Sequence, residues 1–171
     1  GAVQYVVARP IPEKRRDCAV SIVVAARNEE GNVERLLERV PLIGTRTELI
    51  IVEGNSSDRT WEVLERMKQT YKGPLVLHIG KQPGKGKWDA VQKGFSMSTG
   101  DLLMILDADM TVPPEDLPRF YEAYAEGRGE FINGSRFIYP MESRAMRFLN
   151  NIGNQFFTFF VSRIIRQRLT D

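Results

Sequence analysis

Two carboxylates separated by one residue, Asp107 and Asp109, follow the apolar run Leu102 to Leu106 and precede Pro113, Pro114 and Glu115. The apolar run reads as a strand buried on both faces. The double proline forbids its continuation and suits the first turn of a helix, whose positive end Glu115 and Asp116 favour. The two acids therefore stand at the C-terminal end of a core strand and share one face. Anions held that close repel, and a divalent cation is the usual compensation. Asp107 and Asp109 are the expected ligands of Mg2+ or Mn2+, an ion carried by one or two carboxylates together with substrate phosphates.

A second group with chemical potential is the loop Gly80 to Gly86, which holds Lys81 and Lys85 and runs into Lys87. It is not a Walker phosphate loop, because the spacing from Gly80 to Gly84 is too short and Gly86 stands where Ser or Thr should hold magnesium. No G-x-G-x-x-G follows the first strand, which speaks against a dinucleotide site. Two readings stay open: a solvated loop, or backbone amides with Lys85 or Lys87 facing phosphates or a base. A rival also exists for the acid pair. Asp107 to Val112 fits the opening motif of haloacid-dehalogenase-like phosphatases, with Asp107 as nucleophile and Asp109 as acid/base. That motif belongs on a first strand with a downstream lysine; here it follows the fourth, and no lysine follows Val112.

The elements that must position these groups alternate. Val20 to Ala26, Leu49 to Val52, Leu75 to Ile79 and Leu102 to Leu106 read as strands, with Phe131 to Gly134 as a fifth. Between them lie helical patterns: Val33, Leu36, Leu37 and Val40, capped by Asn28; Trp61, Leu64 and Met67, capped by Ser56 or Ser57; Trp88, Val91 and Phe95; and the helix from the double proline through Tyr124. A last helix spans roughly Ser143 to Arg166. This order predicts an α/β domain with a mostly parallel sheet flanked by helices. Ligands of such sheets bind outside the carboxyl ends of the strands. Arg27, Asn28 and Glu29, then Glu53, Asn55, Ser56 and Asp58, then Lys81, Lys85 and Lys87, and finally Asp107 and Asp109 are expected to converge there. Acids, a cation site and a basic glycine loop at one edge imply a metal-bound nucleoside diphosphate.

The chain has 171 residues and a formal net charge of +2, so it reads as one domain and nothing in its balance argues for nucleic acid. A single cysteine, Cys18, excludes an internal disulfide framework and fits a reducing, cytoplasmic compartment. The single His78 lies in an apolar strand and reads as a structural side chain. Residues 1–18 form a lead-in segment or linker, rich in proline and charge over 9–17, which suits a fused domain upstream. No closing element precedes Asp171, so the domain of residues 19–171 reads as incomplete at its C-terminus.

Five motifs in order carry a family resemblance: Ser21 to Glu29, Ile51 to Thr60, Gly84 to Ala90, Asp107-Ala108-Asp109 with its following prolines, and Gly134-Ser135-Arg136. Together they resemble family-2 glycosyltransferases of the GT-A fold, and most closely the dolichyl- or polyprenyl-phosphate hexosyltransferases. The resemblance implies a nucleotide-sugar donor, a divalent metal and inverting transfer. It places Ala25, Arg27 and Glu29 at the nucleobase and ribose, Asp107, Ala108 and Asp109 at the diphosphate, and Arg136 at a phosphate. Glu53, Asn55, Ser56, Lys85 and Asp89 complete the implied nucleotide-sugar pocket. Thr111 stands where lipid-phosphate enzymes often carry glutamine. Ala25 replaces a usual proline, and Glu53-Gly54 replaces a usual Asp-Asp pair, leaving Glu53 or Asp89 to reach the base.

A polyprenyl phosphate is already an anionic nucleophile and needs no base, only cations to orient it; Arg136, then Arg144 and Arg147, are the candidates. Phe148 to Ser162 carries no charge and five phenylalanines, with Arg163, Arg166 and Arg168 following. Two readings remain: an interfacial helix giving peripheral membrane contact through residues 148–168 on a cytoplasmic face, or a helix packed in the protein. A nucleotide-sugar-binding module without turnover is the alternative function.

Overall fold

The computed structural model describes residues 16–134. Among these residues four strands and four helices alternate: β1 (Ala19–Ala26), α1 (Val33–Arg39), β2 (Arg46–Glu53), α2 (Thr60–Thr70), β3 (Val76–Lys81), α3 (Lys87–Met97), β4 (Leu102–Asp107) and α4 (Leu117–Ala125). A 3-10 turn, Pro114–Asp116, leads directly into α4. All strand pairs are parallel, and the order across the sheet is β3-β2-β1-β4.

The central strands explain the architecture. Val20, Ile22, Val23 and Val24 of β1 and Leu49 to Val52 of β2 are buried on both faces, which β-branched side chains on a pleated surface favour. Burial of each such side chain contributes about 1.5–3 kcal/mol. One face meets Val33 and Leu36 of α1, Leu64 and Met67 of α2, and Leu117 and Tyr121 of α4. The other meets α3 through Ala90, with Phe95 packed alongside. The sheet is thus sandwiched between helix layers.

Three local details differ from the sequence reading. First, β2 begins before its apolar run, because Arg46, Thr47 and Glu48 continue the register against Ala19 to Ser21. The buried polar members are satisfied. Thr47 Oγ1 accepts from Ile43 N at 2.6 Å and donates to Ile43 O at 2.7 Å. Glu48 accepts from Thr99 N at 2.9 Å and Thr99 Oγ1 at 2.5 Å. Second, Asn28 does not cap α1, whose cap position is Asn32, nor does Ser56 or Ser57 cap α2, whose cap position is Arg59. These side chains bond across loops instead. Third, Phe131 to Gly134 form no strand; two apolar residues before an Asn-Gly turn pair are too short a run to hold one.

Arg16 to Cys18 are tied down. Arg16 N donates to Ala125 O at 3.2 Å, Cys18 N donates to the Tyr121 hydroxyl at 3.3 Å, and that hydroxyl donates to Asp17 Oδ1 at 3.1 Å. Burial first, then the charges of Asp101 and Asp17, push the Cys18 thiol up, which keeps it protonated and unreactive. His78 sits half-buried on β3 opposite Ile50. The chain divides at residue 130 into two units, and Ser135, Arg136, Arg144, Arg147 and the expected helix from Ser143 to Arg166 lie outside the described residues.

Candidate active site

The strand order reverses direction between β1 and β4, the place where an open parallel sheet leaves a crevice outside its carboxyl ends. Ala25 near the end of β1 is in register with Asp107 at the end of β4. A cleft of about 250 Å³ opens there. Every strand contributes the residues at its C-terminal end or just beyond: Ala25, Ala26, Arg27 and Glu29 after β1, Gly54 after β2, Gln82 after β3, and Asp107, Ala108 and Asp109 after β4. The start of α3 closes one wall with Gly86, Lys87 and Ala90.

The acid pair lies on a tight turn. Met110 N donates to Asp107 O at 3.1 Å, and Met110 itself has φ of 54°. Asp109 Oδ1 accepts from Thr111 N at 2.9 Å, an Asx bond that fixes the carboxylate. Asp107 forms an ion pair with Lys87 Nζ. The turn is braced from outside the cleft: Arg39 Nε and Nη2 each reach Glu115 at 2.7 Å, and Arg39 Nη1 lies 3.5 Å from Met110 Sδ. The bidentate hydrogen bond to Arg39 is the first cause that brings the Glu115 carboxyl down to about 2.

The first two loops are laced together. Asn28 N donates to Ser56 Oγ at 3.0 Å, and Asn28 Oδ1 accepts from Ser57 N at 2.8 Å. Glu29 N donates to Thr60 Oγ1 at 2.9 Å. Glu30 N donates to Asp58 Oδ2 at 3.3 Å, and Arg59 N returns a bond to Glu30 Oε2 at 3.0 Å. The Thr60 hydroxyl is the main cause that holds Asp58 below the usual carboxylate range. The stretch Asn55 to Thr60 thus positions Arg27 and Glu29.

Among the expected site residues, the structure brings Ala25, Arg27, Glu29, Asp107, Ala108 and Asp109 to one cleft. The others stand elsewhere. Glu53 is buried, and its carboxylate accepts the Ser56 amide. Asn55 Nδ2 donates to Gly84 O at 3.0 Å, and Asp89 Oδ2 accepts from Gly84 N at 2.8 Å, so both brace the glycine loop. Ser56 serves the lacing, Lys85 is exposed on the loop, and Thr111 is exposed beyond Asp109. Neither Lys85 nor Thr111 is among the cleft-lining residues.

Sequence reasoning missed Gln82, which is 7% exposed, lines the cleft and donates from Nε2 to Gly84 O at 3.2 Å. Its only signal was a polar residue directly after a strand. Gly54 stands where the family resemblance implies an acid. The structure gives it a positive reason: a Cβ there would stand 3.1 Å from Arg27 Cβ, so glycine lets the Arg27 stem lie against it. Gly86, with φ of 87° and ψ of 160°, sits where only glycine is at ease and turns the chain into α3.

The sequence model of Glycosyl transferase family 2 matches residues 21–170. The chain belongs to that family. The fold is GT-A. This family-2 chain superposes on a mannosyltransferase from Pyrobaculum calidifontis, solved with GDP-Man and Mn2+, with TM-score 0.57 and 22% identity, covering 72% of this chain and 37% of that one. It likewise matches the glucosyl-3-phosphoglycerate synthase of Mycobacterium tuberculosis, with TM-score 0.52 and 21% identity, over 72% of this chain and 46% of that one. Among curated relatives it is 35% identical over 121 residues to a dolichol-phosphate mannosyltransferase of Pyrococcus furiosus, covering 70% of this chain and 33% of the relative. It is also 35% identical over 112 residues to an undecaprenyl-phosphate 4-deoxy-4-formamido-L-arabinose transferase of Edwardsiella ictaluri, covering 63% of this chain and 34% of the relative. The chain thus spans about a third of the length of these relatives. With family and fold established, the phosphatase reading of Asp107 falls.

Proposed function

We propose that this chain carries the donor site of a metal-dependent, inverting hexosyltransferase that uses a nucleotide sugar of the UDP-glucose or GDP-mannose type and a lipid phosphate such as polyprenyl phosphate. The observation that carries it is the convergence of Asp107, Asp109, Arg27 and Lys87 on one cleft at the point where the strand order reverses. The acceptor class is supported by the curated relatives, which act on dolichol phosphate and undecaprenyl phosphate. Metal use is supported by the structural neighbours that hold Mn2+.

The donor set fits such an ion. Carboxylate oxygens are hard ligands, and among the described residues no cluster of three metal-ligating side chains exists. That pattern suits Mg2+ or Mn2+, which keep waters and take substrate phosphates as ligands. When bound, the ion supplies Lewis-acid neutralisation of charge developing on the leaving diphosphate. The chain does the rest. Thr111 N–H fixes Asp109, so its carboxylate is preorganised. Arg27 and Lys87 bring positive charge to the diphosphate. Ala25 and Ala26, lacking bulk, leave room for a base, and Gln82 offers it a polar edge. The lipid phosphate attacks as an anion, so no protein base is required; Arg136 and Arg144 orient it, with Thr111 on the acceptor side.

Peripheral membrane contact through residues 148–168 and a domain fused upstream belong to the same proposal. Among the described residues no helix is long and apolar enough to cross a membrane. The alternative reading is a donor-binding module without turnover. Calorimetric titration of UDP-glucose and GDP-mannose with and without Mn2+, followed by assay with polyprenyl phosphate, tests both. Mn2+-dependent binding with lipid-dependent transfer supports the enzyme, and binding alone supports the module. Donor binding that ignores Mn2+ and survives Asp109→Asn defeats the metal site.

A further inference from the structure

Lys87 opens α3, at the end of a helix where the backbone dipole favours anions. A cation gains nothing from that position, and Asp89 already supplies the negative charge of the first turn. What compensates Lys87 is Asp107, on a different element, whose Oδ1 takes Nζ in an ion pair. Both residues line the cleft. The Lys87 side chain is 60% exposed and that of Asp107 29%. Ion pairs this accessible are weak, so exchanging one partner costs little. The lysine ammonium is a compact charge on a flexible four-carbon stem, suited to moving between anions.

We propose that Lys87 is a tethered counter-cation that pairs with Asp107 when no metal is bound and is displaced from it by a divalent ion. The inference rests on the reading that Asp107 and Asp109 hold that ion. An ammonium neutralises one carboxylate; a divalent ion serves both, and therefore wins when a diphosphate joins it. The displaced ammonium is left to neutralise the diphosphate in the same cleft. Lys87 thereby lowers the affinity for metal alone and couples metal uptake to arrival of the donor. No bond is made or broken covalently in this exchange.

The test is Mn2+ alone, titrated into the 171-residue protein and into Lys87→Met, with free ion read by electron paramagnetic resonance. Lys87→Met is expected to bind Mn2+ roughly two- to fivefold tighter. Lys87→Arg, which keeps the charge, is expected to bind no tighter than wild type. Circular dichroism and thermal unfolding check that the variants fold, and a merely structural loss would not tighten an ion. Equal or weaker Mn2+ affinity in Lys87→Met, or no uptake by either protein, overturns the exchange. If wild type then still takes up Mn2+ with UDP or GDP present, the metal reading stands without the exchange. If Asp107→Asn binds Mn2+ as wild type does, Asp107 is no ligand and both fall.

Discussion

The side chain of Asn28 accepts the main-chain N–H of Ser57 at 2.8 Å, while its own N–H is held by Ser56 Oγ at 3.0 Å. Asn28 has φ of 58°, a left-handed conformation that asparagine tolerates and most residues do not. One residue thus turns the chain after β1 and fastens it to the loop after β2. Arg27 and Glu29, its neighbours, both line the cleft.

Replacing Asn28 therefore disturbs stability and donor binding together. Asn28→Ala loses the two bonds that its Oδ1 accepts, from Ser57 N at 2.8 Å and Ser57 Oγ at 3.2 Å, and strains a positive φ, at about 1–2 kcal/mol. Asn28→Gly relieves the strain and loses only the bonds. Urea unfolding is expected to rank wild type above Asn28→Gly above Asn28→Ala. Calorimetry with a nucleotide sugar should show weaker binding in both variants.

Arg39 acts on the acid pair without touching the cleft. Its fork grips Glu115 through two bonds of 2.7 Å and approaches Met110 Sδ, which bracket the turn that carries Asp109. In Arg39→Met the Glu115 carboxyl is expected to rise from about 2 toward the ordinary carboxylate range. The sign follows from a depressed folded value: the pair's contribution is present above the unfolded pKa and is lost as pH falls through about 2. Nuclear magnetic resonance titration of the glutamate carboxyls checks the shift. The same variant should weaken Mn2+ binding although it replaces no cleft-lining side chain, because the turn that carries Asp109 loses its brace.

Glu48 predicts a separate pH effect at the far end of the sheet. Burial works to raise its carboxyl, but hydrogen bonds from Thr99 and Ser21 and the nearby charge of Arg46 hold it below the usual range. A depressed folded value means the unfolded chain takes up the proton first. Glu48 then stabilises the fold above the unfolded carboxylate range and loses that contribution as pH falls through its folded value. Glu48→Gln should be less stable than wild type near neutral pH, and its stability should fall less on acidification. Denaturant unfolding at neutral and acid pH measures both, and parallel losses would refute the assignment.

How much of this was legible beforehand depends on which forces acted. The four strand cores and the three intervening helices could be read because burial on both faces demands apolar runs, and helical faces demand their own period. The acid pair could be placed because an apolar strand ended on it and two prolines followed. The early start of β2 could not be read, since Thr47 and Glu48 are polar and become acceptable only through Ile43 and Thr99. The caps were misjudged for a related reason: Asn28, Ser56 and Ser57 are good cap residues locally, but a loop from elsewhere in the chain offered them partners first.

The sequence by itself determined that an α/β layer would end each strand on polar residues and hold two carboxylates beyond the fourth. Those are local consequences of hydrophobic period, chain stiffness and turn chemistry. Only the tertiary structure decided which polar residues face one another. The order β3-β2-β1-β4 set Ala25 beside Asp107, admitted Gln82 to the cleft and gave Lys87 its carboxylate. Such pairings join residues distant in the chain, and their geometry is fixed by strand neighbours and helix packing rather than by local propensity.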